Sequence, residues 1–219
     1  MQLLLDSAII EEAQQAADWG WVCGVTTNPA LLAQSSLPPD KTLKKISKLI
    51  DGPIFYQLTA TTLDGMKSEA SRAEDILGKQ LVLKIPATPL GFQACARLSK
   101  KFACAMTSIF TPAQALVAHA AGARFALYYH NRAKRLLVDG ADLATRLVET
   151  LNRTDTRVVA ASLKSPDELV EARMAGVSIL SARFDVLAKL PVHELSESAL
   201  KEFQKNGIGL LQNAPEEAA

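Results

Sequence analysis

The chain opens on an apolar run, Gln2-Leu-Leu-Leu-Asp6. A stretch rich in Ala, Glu and Gln follows from Ala8 to Trp19, then Gly20 and a second apolar run from Trp21 to Thr26. Short apolar runs bounded by turn signals read as buried strands, and the longer mixed stretches between them as helices. The alternation continues to the end of the sequence. Strands are predicted at 2–6, 22–26, 54–58, 81–85, 103–107, 124–128, 157–161 and 177–182. Helices are predicted near 8–19, 38–51, 62–77, 89–101, 112–121, 134–151, 166–175 and 194–206.

The punctuation between elements supports this reading. Gly20, Gly122 and Gly176 each close a helix just before a strand, where a left-handed residue is expected. Thr111-Pro112-Ala-Gln114 and Ser165-Pro166-Asp-Glu168 match capping boxes with Pro at the first helical position. Thr88-Pro89 and Asn28-Pro29 share the cap-then-Pro form. Strands that alternate with helices imply a parallel sheet built through right-handed crossovers.

A closed (β/α)8 barrel and an open doubly wound sheet compete for this pattern. The first strand-to-helix turn, Asp6-Ser-Ala-Ile9, has none of the glycines of a dinucleotide-binding turn, which favours the barrel. The 219 residues spread over eight units leave about 27 per unit, near the lower bound for such barrels. No composition break marks a second domain. The expectation is a single-domain (β/α)8 barrel over 1–212, including a C-terminal extra helix, with a solvated tail over 213–219.

Charge and cysteine content narrow the partners. Lys+Arg 24 against Asp+Glu 23 gives a net charge of +1, which excludes a strong basic footprint for nucleic acid. No apolar run is long enough to cross a bilayer, so no membrane is expected. Cys23, Cys95 and Cys104 show no metal-type spacing. With no leader-like segment ahead of the first strand, they read as reduced thiols of a cytoplasmic protein. His119, His130 and His193 fall on separate elements, so no metal site is expected.

Barrel enzymes carry their chemistry at the C-terminal ends of the strands. Those positions here hold Asp6, Thr26-Thr27-Asn28, Gln57, Lys84, Thr107, Tyr128-Tyr129-His130-Asn131-Arg132, and Ser162-Leu-Lys164. The eighth strand offers little, with Ser181-Ala182-Arg183. Lys84 stands out because it interrupts an apolar strand, Leu81-Val-Leu-Lys84-Ile-Pro86. Taking an ammonium out of water disfavours its charged form, and a neutral amine condenses with a carbonyl to a Schiff base. The competing reading is a lysine that snorkels outward or pairs with Asp6.

Five segments in order resemble the transaldolase family. They are Asp6, Gly24-Val-Thr-Thr-Asn28-Pro29, Leu83-Lys84-Ile-Pro-Ala-Thr-Pro-Leu-Gly91, Ser108-Ile-Phe-Thr-Pro-Ala-Gln114-Ala and Ala160-Ala-Ser162-Leu-Lys164-Ser-Pro166. Each alone is unspecific; five with compatible spacing are specific. The chain is most similar to the small branch, the fructose-6-phosphate aldolases and transaldolase-like proteins. The resemblance implies a cofactor-free class I enzyme that makes or breaks a C–C bond between a dihydroxyacetone-type donor and an aldehyde such as glyceraldehyde 3-phosphate. It implies Lys84 as the Schiff-base lysine, Asp6 and Tyr129 in proton transfer, and Gln57 with Thr107 around a water. It implies Asp6 and Asn28, with Thr27 beside it, on the donor hydroxyls. Arg132 and Ser162 would take the acceptor phosphate, with added charge from Lys164.

Gln57 and Tyr129 match the aldolase branch, whereas transaldolases proper carry a glutamate and an aromatic without hydroxyl there. A transaldolase and a non-catalytic sugar-phosphate-binding barrel stay as alternatives. The bland readings are an N-cap for Asn28, turn roles for Thr107 and Ser162, and core packing for Tyr129, Phe55, Phe110 and Cys23. The chain departs from the family pattern at Tyr128, at Met106, at Ser181-Ala182-Arg183, and at Ala133-Lys134-Arg135, which should make the loop after Arg132 more basic. The resemblance also implies a homo-oligomer, pentamer or decamer, joined through the segment Leu195 to Leu211.

Overall fold

The computed structural model describes residues 1–207, 209 and 210. Eight parallel strands close into one barrel in chain order. They are β1 (Gln2–Asp6), β2 (Val22–Thr26), β3 (Ile54–Gln57), β4 (Leu81–Pro86), β5 (Ala103–Ile109), β6 (Phe125–Tyr129), β7 (Arg157–Leu163) and β8 (Ile179–Ala182). The last strand returns to the first, pairing Gln2 with Ile179 and Leu5 with Ala182, so the open-sheet alternative is excluded.

The connecting helices are α1 (Ile10–Asp18), α2 (Pro29–Leu32), α3 (Pro39–Leu49), α4 (Leu63–Leu77), α5 (Pro89–Leu98), α6 (Pro112–Ala120), α7 (His130–Leu136), α8 (Leu143–Thr150), α9 (Pro166–Met174) and α10 (Phe184–Leu187). A further helix, α11 (Glu194–Asn206), follows. The chain falls into two units: Met1–Leu187, which holds the barrel, and Ala188–Ala219, which holds α11. The predicted tail over 213–219 lies outside the described residues, as do Ile208 and Leu211 of the predicted contact segment. Among the described residues no helix is long and apolar enough to cross a membrane.

The predicted caps form. Asn28, Thr88, Thr111 and Ser165 each accept a hydrogen bond from the backbone N–H three residues on, ahead of a Pro at the start of the helix. The capping boxes close one residue earlier than the pattern predicts. Gln114 accepts from the N–H of Phe110 and Glu168 from that of Lys164, the residues that precede the caps. Gly122 has φ +78°, and a Cβ there would also approach Ser99 Oγ to 2.6 Å, so glycine is required on both counts.

One predicted helix, 134–151, is two helices. α7 starts four residues earlier, immediately after β6, and ends at Leu136; α8 resumes at Leu143. The break lies where Gly140 packs on the carbonyl of Ala133, an approach that leaves no room for a side chain: a Cβ would lie 2.0 Å from that oxygen. The apolar run Leu136-Leu137-Val138 mimics helical continuity, but Val138 is fully exposed. The short α2 and α10 escape a periodicity reading because four residues make scarcely one turn.

The barrel interior is a layer of inward side chains: Leu4, Phe55, Val82, Ala105, Phe125, Leu127, Val159, Ala161 and Ile179. The alanines of β5 and β7 make room for Phe55 and Phe125, whose rings meet at 5.2 Å. Each fully buried Leu, Ile or Phe contributes about 1.5–3 kcal/mol relative to exposure. Cys23 packs against this layer, as its core reading requires. Trp19 and Trp21 stack at 4.9 Å, and Trp19 also stacks on Phe184.

Candidate active site

The pleat carries the site. Successive side chains of a strand alternate between faces, so the residue two positions beyond each core residue faces the interior again. From Leu4, Phe55, Val82, Ala105, Leu127 and Ile179 that step leads to Asp6, Gln57, Lys84, Thr107, Tyr129 and Ser181. Apolar layers thus give way to a polar layer at the C-terminal mouth. Gln57 and Lys84 are register partners on β3 and β4. Asp6 and Thr26 are partners on β1 and β2.

Lys84 is only 3% exposed. Its Nζ donates to the Thr27 carbonyl at 2.9 Å. Among the described residues the ion pairs join Lys101 to Glu74, His130 and Lys134 to Glu171, and Arg146 to Asp139. The alternative pairing of Lys84 with Asp6 is therefore not formed. The Thr27 hydroxyl is buried and donates to the Phe55 carbonyl at 2.8 Å. Thr27 thus serves the lysine through its backbone, and its side chain is engaged within the barrel wall.

Asp6 is held by a chain of hydroxyls absent from the sequence-based expectation. Thr26 Oγ1 lies 2.7 Å from Asp6 Oδ1 and 2.6 Å from Ser181 Oγ. A carboxylate can only accept, so Thr26 gives its proton to Asp6 and accepts from Ser181. Both hydroxyls are fully buried. The two-residue step from Ile179 on the inward face is the signal that identifies Ser181.

Tyr129 completes the opposite wall. Its hydroxyl lies 3.2 Å from Thr107 Oγ1. The edge of Phe110 meets its ring at 6.1 Å, and the Arg132 guanidinium sits 4.9 Å above that ring. Gln57 is half-buried, and among the described residues its amide makes no hydrogen bond. The flanks of Gln57 are fixed: Glu69 accepts from the Tyr56 hydroxyl at 2.8 Å, from the N–H and hydroxyl of Thr59 and from the N–H of Ala60. Burial and the Glu69 carboxylate push the Tyr56 phenol up, which keeps it a donor. Asn28 uses Oδ1 to cap α2, so its cap reading holds and its NH2 group remains for other partners.

Two strands break the alternation at the mouth. The register slips between Thr107 and Ile109 on β5 and between Ala160 and Leu163 on β7. The extra residues, Ser108 and Ser162, have φ of 63° and 60°. A non-glycine residue there costs roughly 1–2 kcal/mol. Such bulges re-aim side chains beside binding sites. After each slip Ile109 and Leu163 turn into the buried layer under the helices.

The stretch after Arg132, expected as a loop, is part of α7 and is less basic than its composition suggests. Lys134 pairs with Glu171 of α9 at 2.5 Å, and Asn131 donates to Glu168 of α9 at 2.7 Å. The acidic partners come from a neighbouring helix instead of the same loop. His130 faces away from the mouth, between Tyr128 at 3.0 Å and Glu171 at 3.3 Å. Burial pushes the Tyr128 phenol up, so its proton is available to His130 Nδ1. The Lys134 ammonium, with His130, holds the Glu171 carboxyl below its ordinary range. Lys164 is exposed.

A buried lysine among hydroxyls, a carboxylate and an amide at the mouth of a parallel (β/α)8 barrel defines the class I, Schiff-base aldolases and transaldolases. The chain belongs to the transaldolase/fructose-6-phosphate aldolase family, whose model matches residues 3–216. It is 36% identical over 209 residues to a probable transaldolase of Symbiobacterium thermophilum, covering 94% of this chain and 96% of that one. It is 37% identical over 207 residues to a probable transaldolase of a Roseiflexus species, covering 93% and 95%. Among solved structures, orotidine 5'-monophosphate decarboxylase from Metallosphaera sedula superposes with a TM-score of 0.60 at 15% identity, covering 93% of this chain and 96% of that one. A mandelate oxidase superposes with a TM-score of 0.59 at 17% identity, covering 88% and 66%. These two share the barrel fold alone.

Proposed function

We propose that this chain is an aldolase that reversibly joins a dihydroxyacetone-type donor to an aldehyde such as glyceraldehyde 3-phosphate. The observation that carries this reading is the Tyr129 hydroxyl, 3.2 Å from Thr107, in one mouth layer with Lys84 and the unpartnered Gln57 amide. In the cleavage direction the Lys84 amine adds to the ketose carbonyl and loses water to give a protonated imine. Tyr129 assists removal of the proton from the hydroxyl on the carbon beyond the breaking bond. The C–C bond then breaks, an aldehyde leaves, and the bonding pair moves into the imine to give an enamine. The enamine takes up a proton at carbon. A water held by Gln57 and Thr107 hydrolyses the resulting imine, with Asp6 passing protons between water and nitrogen.

A transaldolase is the second reading, favoured by relatives described as probable transaldolases. There the enamine passes to an acceptor aldose phosphate instead of being protonated. Cleavage of fructose 6-phosphate measured with and without erythrose 4-phosphate divides the two. Turnover without the acceptor is expected; strict dependence on it would sink the aldolase reading.

Arg132 and Ser162 are the proposed seat of the acceptor phosphate, with Lys164 at its exposed edge. A guanidinium binds phosphate oxygens in pairs, and charge-assisted hydrogen bonds contribute about 1.5–3 kcal/mol. Arg132→Ala is therefore expected to raise KM for glyceraldehyde 3-phosphate by roughly 10- to 100-fold. KM for unphosphorylated glyceraldehyde should stay within about two-fold. Initial-rate kinetics with both acceptors check this, and an equal rise for both would remove Arg132 from phosphate binding.

The protein further self-associates in this reading, through α11. Leu195, Leu200 and Phe203 of that helix are 73%, 56% and 72% exposed, and large apolar side chains so placed mark contact surfaces. Light scattering coupled to size exclusion is expected to show a mass of several chains, and a monomer at micromolar concentration would overturn it.

A further inference from the structure

Arg132 lies in α7, directly after β6, and Ser162 lies near the end of β7, and a single carboxylate accepts hydrogen bonds beside both. Glu168, in the first turn of α9, accepts from Asn131 Nδ2 through Oε1 at 2.7 Å. It accepts from the backbone N–H of Lys164 through Oε2, also at 2.7 Å. Asn131 immediately precedes Arg132, and Lys164 follows Ser162 by two residues. The carboxylate is itself anchored, because the Glu168 N–H is capped by Ser165 Oγ at 3.2 Å. It also lies at a helix N-terminus, where negative charge is favoured. One turn further along α9, Glu171 takes His130 at 3.3 Å and Lys134 at 2.5 Å, so the first turn of α7 is fixed to α9 at two levels.

We infer that Glu168 is a positioning residue for acceptor-phosphate recognition, acting through Asn131 on Arg132 and through Lys164 on Ser162. The inference rests on the reading of Arg132 and Ser162 as the phosphate seat. Two donors must meet the oxygens of one phosphate, and they reside on different elements, Arg132 in α7 and Ser162 in the slip near the end of β7. Ser162 sits in a register slip at φ 60°, a conformation that needs support from its surroundings. Arg132 is exposed and is otherwise steered by the Tyr129 ring beneath it. A carboxylate that accepts one hydrogen bond beside each donor ties the two segments together. Its effect should fall on the phosphate and spare Lys84, which is held on β4 by Thr27.

The test compares wild type, Glu168→Ala, Glu168→Gln, Asn131→Ala and the Glu168→Ala/Asn131→Ala double variant. Rates are measured for dihydroxyacetone with glyceraldehyde 3-phosphate and with unphosphorylated glyceraldehyde. In Glu168→Ala, KM for the phosphorylated acceptor is expected to rise about ten-fold, with kcat and the other acceptor's KM within about two-fold. Borohydride trapping of dihydroxyacetone on Lys84 should be unchanged. Glu168→Gln should fall between, since an amide oxygen still accepts from one donor while its NH2 meets the other. The double variant should be little worse than Glu168→Ala, because Asn131 acts through the same carboxylate. A merely structural glutamate would lower both acceptors' rates together and reduce adduct formation, and that result overturns the inference. So does an unchanged KM for the phosphorylated acceptor in a variant of an enzyme that discriminates between the two acceptors. A wild type with no preference for the phosphorylated acceptor overturns the reading of the phosphate seat, and this inference with it.

Discussion

Lys84→Met is expected to abolish covalent trapping: borohydride with dihydroxyacetone or fructose 6-phosphate should leave an adduct of one reduced ketose on Lys84 of wild type and none on the variant. Turnover should fall by at least about 10⁴-fold, since no other group in the mouth layer offers an amine for the imine. The substitution is chosen to leave the fold intact. Met is unbranched, nearly fills the lysine's volume, and suits a site that is 3% exposed. Its structural cost is the lost donor to the Thr27 carbonyl, about 1–3 kcal/mol if that oxygen stays dry. A melt a few degrees lower than wild type with no adduct is the expected pair of results. An adduct of wild-type yield on another residue of the variant would remove Lys84 from the chemistry.

The second large effect belongs to Tyr129. Replacing it with Phe keeps the ring between the Phe110 edge and the Arg132 guanidinium and removes only the hydroxyl near Thr107. Loss of one positioned acid–base group is expected to slow aldol cleavage by about 10²–10⁴-fold. Schiff-base formation should survive, because Lys84 and the Asp6–Thr26–Ser181 chain are untouched. The variant should therefore still be trapped by borohydride while cleaving slowly. If transfer to erythrose 4-phosphate persists as cleavage falls, the hydroxyl is the element that lets this barrel finish as an aldolase. Unchanged cleavage would remove Tyr129 from the mechanism.

Most of the barrel was legible because its signals are local. Pro after a capping residue recurs at four strand-to-helix turns, and glycine after the last helical turn precedes several strands. Asp6, Gln57, Lys84, Thr107 and Tyr129 were legible as polar residues towards the C-terminal ends of predicted strands, and in the barrel each lies two positions beyond an inward apolar one. What escaped depends on geometry between segments. The slips at Ser108 and Ser162 change which face later residues occupy, and no alternation pattern announces them. The break after α7 is set by Gly140 meeting Ala133, a contact invisible in a run that stays apolar. The loop after Arg132 looked basic because its counter-charges, Glu168 and Glu171, lie on another helix. The bond from the Thr27 hydroxyl to the Phe55 carbonyl also joins separate segments and leaves no mark in the local sequence.

The hydroxyl chain at Asp6 has a temporal side. It joins β1, β2 and β8, the first two strands made and the last, with Thr26 and Ser181 155 positions apart in the chain. Long-range pairings form late, after their loop-closure entropy has been met. A nascent chain that has emerged through β7 already carries Lys84, Gln57, Thr107 and Tyr129, but Asp6 has only half of its support. Closure of the seam between β8 and β1 is thus the event that readies the carboxylate. On the proposed roles, Lys84 is in place early and Asp6 is aligned last, so an incomplete barrel would have little means of engaging ketones productively.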